Sequence, residues 1–527
     1  MKNNKFCFIV AAYNAQEYIA KCIESMKMQT YTNWTCAITD DCSTDFTHDI
    51  ILENTQCDKR FMVFRHPYRS YALASQLTGV YNVCTNDEDI IIILDGDDWL
   101  YDKHVLSYLN SVYEDNNTWA TYGQYITPAG DVGGCRDDWR LFQRAQYEQR
   151  YISHLRSYKY WLFKKIDQED LKTSTGDFFK ACADMSVFYP ICEMAGQHLK
   201  FIPRILYVYN NTSPINLFKI NTQDQINNNF FLHTKCIYPI IKNKDHQFQK
   251  LNVGLFDKNF SHSLYAGLNE NESSYIHWIR NDATQDVTIF TDRCLDEADN
   301  TKCKIKVAWL LESRAVFPEM YLKIQTDYHK FDYVLTHDKQ TLDKVPNSIF
   351  ISSGRTWIKY KDIAIYEKTN NVCFISSGND LNLPGHALRK QVIELCSKKI
   401  DKVCGRNIKQ FDSKVDAIRD FRYCIIIQNA AYDFYFTEHI IDCFLTGTIP
   451  IFWGCKSTSK FFNDKGIIHF SSIEQLRTIL CNISADDYAN RLSAVKDNFY
   501  KAHQFKSLED QIYINFLRYI EAGSFII

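Results

Sequence analysis

No apolar run in these 527 residues approaches the ~18 needed to span a bilayer. That predicts a soluble, cytoplasmic protein with no membrane span. Charge is also close to balanced. The net value of −3 gives no electrostatic reason for nucleic acid or an anionic membrane as partner. The 19 cysteines are odd in number and contain no C-x-x-C pair, which argues against a disulfide framework or a zinc site. They read as buried free thiols in a reducing compartment. Short-period repeats and low-complexity tracts are missing, and so is G-x-x-x-x-G-K-S/T, which excludes a P-loop kinase. Sequons such as those at Asn33 and Asn271 are expected by chance in an Asn-rich chain. The abundance of Ile, Asn, Lys and Tyr points to an AT-rich genome such as that of a large DNA virus, and then to the host cytoplasm.

What is present builds large cores: 46% hydrophobic and 15% aromatic residues, in a chain long enough for two or more domains. The opening "MKNNKFCFIVAAYNA" has a basic start before apolar residues. It reads as a first strand rather than a signal peptide, because the apolar part is short and a helical pattern follows. Ile19, Cys22, Ile23 and Met26 recur at helical spacing and predict a helix over about residues 15 to 29. "WTCAITDDCSTD", "RFMVFRH" and "IIIILDGDD" are further strands. Such alternation predicts a mostly parallel sheet with helices on both faces. Ligands bind such sheets beyond the carboxyl ends of the strands, where Tyr13, Asp41 and Asp95 should meet. Residues 217–248 read as a linker or connecting helix. A second series then begins at "LNVGLFD" and runs through "DVTIFTD", "IKVAWLLE", "FDYVLTHD", "VCFISSG", "YCIIIQN" and "TIPIFWG". It has too many strands for one open sheet and predicts two small α/β units with a break near residue 370.

"IIIILDGDDWL", residues 90–100, runs a buried strand into Asp95, Asp97 and Asp98. Gathering like charges is costly unless a cation or a set of donors neutralises them. Asp95 and Asp97, one residue apart, can share Mn²⁺ or Mg²⁺ with the oxygens of a diphosphate; the bland reading is a solvated acidic turn. Their company decides. "IVAAYNAQEYIAKCIESMKMQTYTNWTCAITDDCSTDFT" followed by this strand resembles family 2 glycosyltransferases, which have the GT-A fold, over residues 6 to about 210. The resemblance implies that Asp41 holds the nucleotide base, with Tyr13 and Asn14 lining the same pocket. It implies that Asp95 and Asp97 bind metal and donor. In "KACADMSVFYPICEMAGQHLKFIPRILYVYN" it makes Asp184 the base that deprotonates the acceptor. Two departures stand out: Ala183 replaces the usual acid, and "RSYALASQ" replaces a stretch with Asn and Gly. "YISHLRSYKYWLFKKI", residues 151–166, is basic and aromatic and reads first as an amphipathic helix. The sharper alternative turns His154 and Arg156 toward the acceptor or the diphosphate.

In the second half, "YDFYFTEHIIDCFLTGTIPIFWG", residues 432–454, predicts a helix capped by Thr437 with Ile440, Ile441 and Phe444 on one face. A turn at Gly447 and a strand follow. A helix start suits an anionic ligand, while Glu438 suits a ribose hydroxyl pair. The stretch resembles the donor-binding signature of family 10 α1,3-fucosyltransferases, of GT-B fold, with His439 where that family has Lys. "SSGNDLNLPGHALRKQVIEL" resembles the family's phosphate-binding loop and helix. There Arg389 matches the residue that clamps the diphosphate, and a basic residue near Asn379 is missing. "AWLLESRAV" places Glu312 as the family's proposed general base.

Together these resemblances imply an α/β chain with a GT-A domain at 1–216, the linker at 217–248, and a GT-B-like pair of Rossmann-like subdomains. The acceptor subdomain would be 249–370 and the donor-binding subdomain 371–527. They imply two inverting transferases. The first would use a UDP-sugar with Mn²⁺ or Mg²⁺, and the second GDP-fucose, or a related donor, with no cofactor. Acceptors would be glycans or other glycoconjugates. Two alternatives remain. A phosphotransferase or nucleotidyltransferase also uses D-x-D with metal, though it does not explain the context of Asp41 and Asp184. Independently, the chain is a single active family 2 glycosyltransferase whose second half is a non-catalytic glycan-binding or scaffolding module.

Overall fold

The computed structural model describes residues 2–134, 152–173, 175–212, 222–376, 383–405 and 408–521. The chain divides into two compact units, the first running to Phe248 and the second from Gln249 to Ile520.

The first unit is built on a nine-stranded sheet. Its leading strands are β1 (Phe6–Ala12), β2 (Trp34–Asp40), β3 (Phe61–Arg65) and β4 (Ile90–Asp95), in the order β3-β2-β1-β4 and all parallel. Helices α1 (Ile19–Lys27), α2 (Thr47–Thr55) and α3 (Tyr71–Val83) connect them. β1, β2 and β4 read as apolar runs because both faces are covered. Cys7, Ile9, Ala37, Ile91 and Ile93 pack with Leu73, Leu77 and Val80 of α3. Phe6, Phe8, Val10, Ile38, Ile92 and Leu94 pack on the other side with Ile19, Cys22, Ile23 and Met26 of α1. Each of those large side chains contributes roughly 1.5–3 kcal/mol by leaving water. The helix expected over 15 to 29 is the shorter α1, since Gln29 turns its amide back to Ser25 O and Asp102 O.

Beyond β4 the sheet departs from the parallel expectation. β5 (Trp99–Leu100), β6 (Ala120–Ile126), β7 (Val132–Gly133), β8 (Ser153–Lys159) and β9 (Leu199–Val208) continue it as β4-β8-β6-β9-β5, with β7 on β6. Only the β6–β9 pair there is parallel. Residues 151–166 are therefore not an amphipathic helix. Ser153–Lys159 is a central strand, buried at Leu155, Ser157 and Tyr158 and paired to both β4 and β6, with one helical turn, Tyr160–Phe163, behind it. Pairing to two neighbours overrides the local helical pattern. The helix α4 (Val105–Tyr113) follows β5, and a further helix, Ala183–Ala195, precedes β9. Within the expected linker, Thr222–Thr234 is helical, and Asn228 and Tyr238 bond to Ala181 O and the Glu193 carboxylate of the first unit.

The second unit holds two all-parallel sheets. The six-stranded sheet comprises β10 (Leu251–Phe256), β11 (Ile276–Arg280), β12 (Val287–Thr291), β13 (Ile305–Leu310), β14 (Tyr333–Thr336) and β15 (Ser348–Phe350), ordered β11-β10-β12-β13-β14-β15. The five-stranded sheet comprises β16 (Asn370–Ile375), β17 (Lys402–Cys404), β18 (Phe421–Ile427), β19 (Ile449–Trp453) and β20 (Ile468–His469), ordered β17-β16-β18-β19-β20. All seven strands read from the second series are present. β11, β15, β17 and β20 join them; three of these are only two or three residues long, too short for an apolar pattern to register. Among the described residues no helix is long and apolar enough to cross a membrane, and the described cysteines are free thiols.

Candidate functional site

In the first unit the carboxyl ends of β1, β2 and β4 open on a cavity of about 600 Å³. Tyr13, Asp41, Arg69, Asp95, Asp97, His154, Arg156, Lys180 and Asp184 are in its lining. The three acids that end β4 have different fates. Asp98 is buried and accepts from Tyr207 Oη and from Asn210 N, each at 2.6 Å. It ties the turn to the end of β9 and is structural. Burial first, then the charges of Asp97 and Asp184, push the Asp95 carboxyl up to about 7, against the pull of Arg156. Asp97 lies half-buried beside it. Two carboxylates one residue apart at a strand end, one of them raised by burial and by the charge of the other, fit a divalent cation shared with substrate oxygens. Among the described residues no group of three or more His, Cys, Asp or Glu side chains makes a self-contained metal site.

Gly96 explains the spacing of that pair. A Cβ at this position would lie 2.9 Å from Ala12 Cβ and 3.0 Å from Ala11 O. Gly96 N also donates to Ala11 O at 3.0 Å. The turn thus presses against the end of β1 and carries its acids into the cavity.

Asp184 sits in the first turn of the helix Ala183–Ala195, which Cys182 enters with φ of 59°. Arg156 Nη1 donates to Asp184 Oδ2 at 2.7 Å, and Met185 N to Oδ1 at 2.9 Å. Burial opposes ionisation there, yet the Arg156 guanidinium and these bonds hold the carboxyl below its ordinary value. Arg156 is 6% exposed and its Nε has no partner. His154 stacks on Tyr207 with centroids 4.6 Å apart, and burial holds it neutral with its pKa down at about 3.

Asp41 is 1% exposed, and its own loop saturates it. Ser70 N and Tyr71 N donate at 2.7 Å, His66 Nδ1 lies 3.1 Å away, and Arg69 pairs with it. The Arg69 guanidinium in turn lies 3.5 Å from the centroid of the Tyr13 ring. Asn14 does not line the cavity. With φ of 46° it adopts the left-handed conformation that Asn tolerates, and its side chain accepts from Thr44 N at 2.9 Å.

The second unit has a cavity of about 510 Å³ at the edge of its five-stranded sheet, lined among others by Trp357, Arg389, Phe411, Lys414, Glu438 and His439. Arg389 donates from Nε to Ile427 O at 3.1 Å and from Nη2 to Asn429 Oδ1 at 3.3 Å. Lys414 Nζ pairs with Asp442 at 2.6 Å and lies 3.3 Å from His439 Nδ1. Lys414 is a donor, so His439 Nδ1 accepts and its Nε2–H faces Glu438 Oε1 at 3.3 Å. Burial, with Lys414 and other cations nearby, keeps His439 neutral, with its pKa down at about 3. Burial works against ionised Glu438, but His439, Lys414 and Arg355 hold it well below the usual carboxylate range. Glu312, after β13, is pushed up by burial; Arg355 acts against the rise and Glu438 adds to it. The helix Glu438–Phe444 is two turns long, and Thr437 does not cap it as expected. Its hydroxyl donates to Gln428 Oε1 at 3.0 Å instead. Residues 377–382, with Asn379, lie outside the described residues.

Residues 7–179 match the profile described as glycosyl transferase family 2. The first unit carries a family 2 domain. The chain is also 32% identical over 131 residues to the Escherichia coli UDP-Glc:α-D-GlcNAc-diphosphoundecaprenol β-1,3-glucosyltransferase, covering 23% of this chain and 50% of that protein. It is 34% identical over 65 residues to the α-(1,3)-fucosyltransferase of Helicobacter pylori, covering 12% and 13%. A solved α1,3-fucosyltransferase with GDP aligns at 15% identity and a TM-score of 0.36, over 56% of this chain and 95% of that one. The chain spans half or less of the length of the curated relatives it matches. The order of folds is the one read from the sequence, a mixed α/β unit followed by a unit with two parallel Rossmann-like sheets.

In the first unit, Tyr13, Asp41, Asp95, Asp97 and Asp184 come together in one cavity lining, while Asn14 is bonded to its neighbouring loop instead. In the second unit, Arg389, Glu438 and His439 share a cavity wall, and Glu312 is close enough to Glu438 to raise its own pKa. Sequence reasoning missed Lys414 and Arg355, which lie on loops or short elements without a motif. It offered Arg156 only as a minor alternative, because its strand looked helical.

Proposed function

We propose that this chain is a bifunctional inverting glycosyltransferase. The first unit transfers a sugar from a UDP-sugar. The observation that carries this is the Asp95–Asp97 pair sharing one cavity with Asp184. A divalent cation held by Asp95 and Asp97 would supply charge neutralisation for the departing diphosphate. Asp184, kept ionised by Arg156, takes the acceptor hydroxyl's proton as the oxygen attacks the anomeric carbon. Lys180 and Arg156 add positive charge to the same wall. Asp41 meets the nucleotide base once Arg69 swings off its carboxylate. Holding donor and acceptor in line supplies much of the rate.

The second unit binds GDP-fucose or a related donor without metal, with Arg389 on the diphosphate, Glu438 on the ribose and Glu312 as base. The raised pKa of Glu312 suits a proton acceptor. A second reading, that this unit is a non-catalytic binding module, is favoured by His439, which is held neutral where a fixed cation would serve phosphate better. Two transferases in one chain suit consecutive steps on one glycan.

The test is nucleoside diphosphate release from a panel of nucleotide sugars, with Mn²⁺ or with EDTA. The expected result is hydrolysis of one UDP-sugar only with metal, and turnover of GDP-fucose in either condition. Metal-dependent release alone would leave the second unit as a binding module. Release of nucleotide monophosphate with transfer of phosphate would sink the glycosyl-transfer reading.

A further inference from the structure

The cations around the second unit's cavity are not equally available to a ligand. Arg389 spends donors on the Ile427 carbonyl and on Asn429. Lys414 spends its ammonium on Asp442 and His439. Arg355 is different: its Nε is buried with no partner, and its guanidinium lies 5.8 Å from the centroid of Trp357, a residue of the cavity wall.

The loop that presents Arg355 is pinned on both sides. Ser352 Oγ donates to Gln511 Oε1 at 2.6 Å, and Gln511 Nε2 donates to Gly354 O at 2.8 Å. Thr356 N donates to Lys506 O at 3.1 Å. Asp442 then buttons the loop to the helix that carries Glu438 and His439. Its Oδ1 accepts from Thr356 Oγ1 at 2.5 Å and from Trp357 N at 3.1 Å. Asp442 is fully buried and sits one helical turn beyond Glu438. The backbone on either side of Arg355 is therefore fixed against the cavity wall, while the Nε between has no partner. A buried guanidinium donor without an acceptor is costly in a finished core and economical in a site waiting for an oxyanion.

We propose that Arg355 is a second residue of this unit, beside Arg389, that takes the diphosphate of a bound nucleotide, bridging it to the wall that carries Glu312 and Glu438. This rests on the nucleotide-binding reading of that unit and assigns a contact that its motifs do not.

The experiment is calorimetric titration of the full chain with GDP, inorganic pyrophosphate and guanosine, in EDTA and with Asp97→Asn to silence the first unit. Arg355→Met should weaken GDP and pyrophosphate about tenfold to a hundredfold and leave guanosine unchanged. Arg355→Lys should recover most of the loss. Because the side chain has no internal partner at Nε, Arg355→Met should not lower the melting temperature of the empty protein, but should abolish most of the rise caused by GDP. Undiminished GDP binding in Arg355→Met, together with loss in Arg389→Met, would overturn the assignment and spare the nucleotide-binding reading. Equal losses for GDP and guanosine, or a lower melting temperature in the empty protein, would mark Arg355 as structural and overturn it. Failure of the parent chain to bind GDP or pyrophosphate would overturn both.

Discussion

Asp292 is fully buried just after β12, where it accepts from Leu311 N and Glu312 N at 3.2 Å and from Asn259. Burial pushes its carboxyl up to about 8 from an ordinary 3.8, against the pull of those donors. The folded chain therefore holds a proton that the unfolded chain releases. The stability it contributes is complete below about pH 4, declines as pH rises, and is gone above about pH 8. Asp292→Asn should flatten that decline, so that melting temperatures measured from pH 5 to pH 8 fall less steeply than in the parent. A parallel slope in the two proteins would refute the assignment. At this scale the motifs are only a partial guide. Asp95, Asp97 and Asp98 look alike in "LDGDD", yet one is held by Tyr207 and Asn210, more than a hundred residues away, and the other two face a cavity. Sequence spacing places carboxylates; it does not say which of them a distant strand will satisfy.

At the scale of elements, the turn after β4 depends on the close approach of Gly96 to the end of β1. Gly96→Ala would push the turn off Ala11 and Ala12, at about 1–3 kcal/mol for overpacking. It would also displace Asp97 from the cavity. The expected outcome is at least a tenfold loss of metal-dependent donor hydrolysis with a modest fall in melting temperature. Full activity would show that the turn is not under this constraint. β1, β2 and β4 were legible because strands buried on both faces are long apolar runs, and helices with one buried face carry a 3.6-residue period. β8 was not. Its "SHLRSYK" is polar, basic and aromatic, and it becomes a strand because Ile90, Ile91 and Ile92 offer an unpaired edge on one side and Ala120 and Thr121 on the other. That placement brings Arg156 to Asp184.

At the scale of the whole molecule, the two candidate sites use different residues, and each should fail separately in the full chain. Asp97→Asn should reduce metal-dependent release from a UDP-sugar at least a hundredfold and leave turnover of GDP-fucose unchanged; Arg389→Met should do the reverse. Loss of both activities in either variant would contradict two independent sites. Loss of neither in Arg389→Met would make the second unit a module without transferase activity.

The sequence by itself determined the α/β class, the two series of strands and the acids at the strand ends. These are local patterns of burial and spacing, and they survive without knowledge of the fold. Tertiary structure alone decided the rest. It paired Arg156 with Asp184, saturated Asp41 with its own loop and retired Asp98 to a structural bond. It also fixed the tautomer of His439 through Lys414 and left the Nε of Arg355 without a hydrogen-bond partner. Each depends on which charged groups meet after residues far apart in the chain are packed together, and charge pairing at a site is a property of that packing.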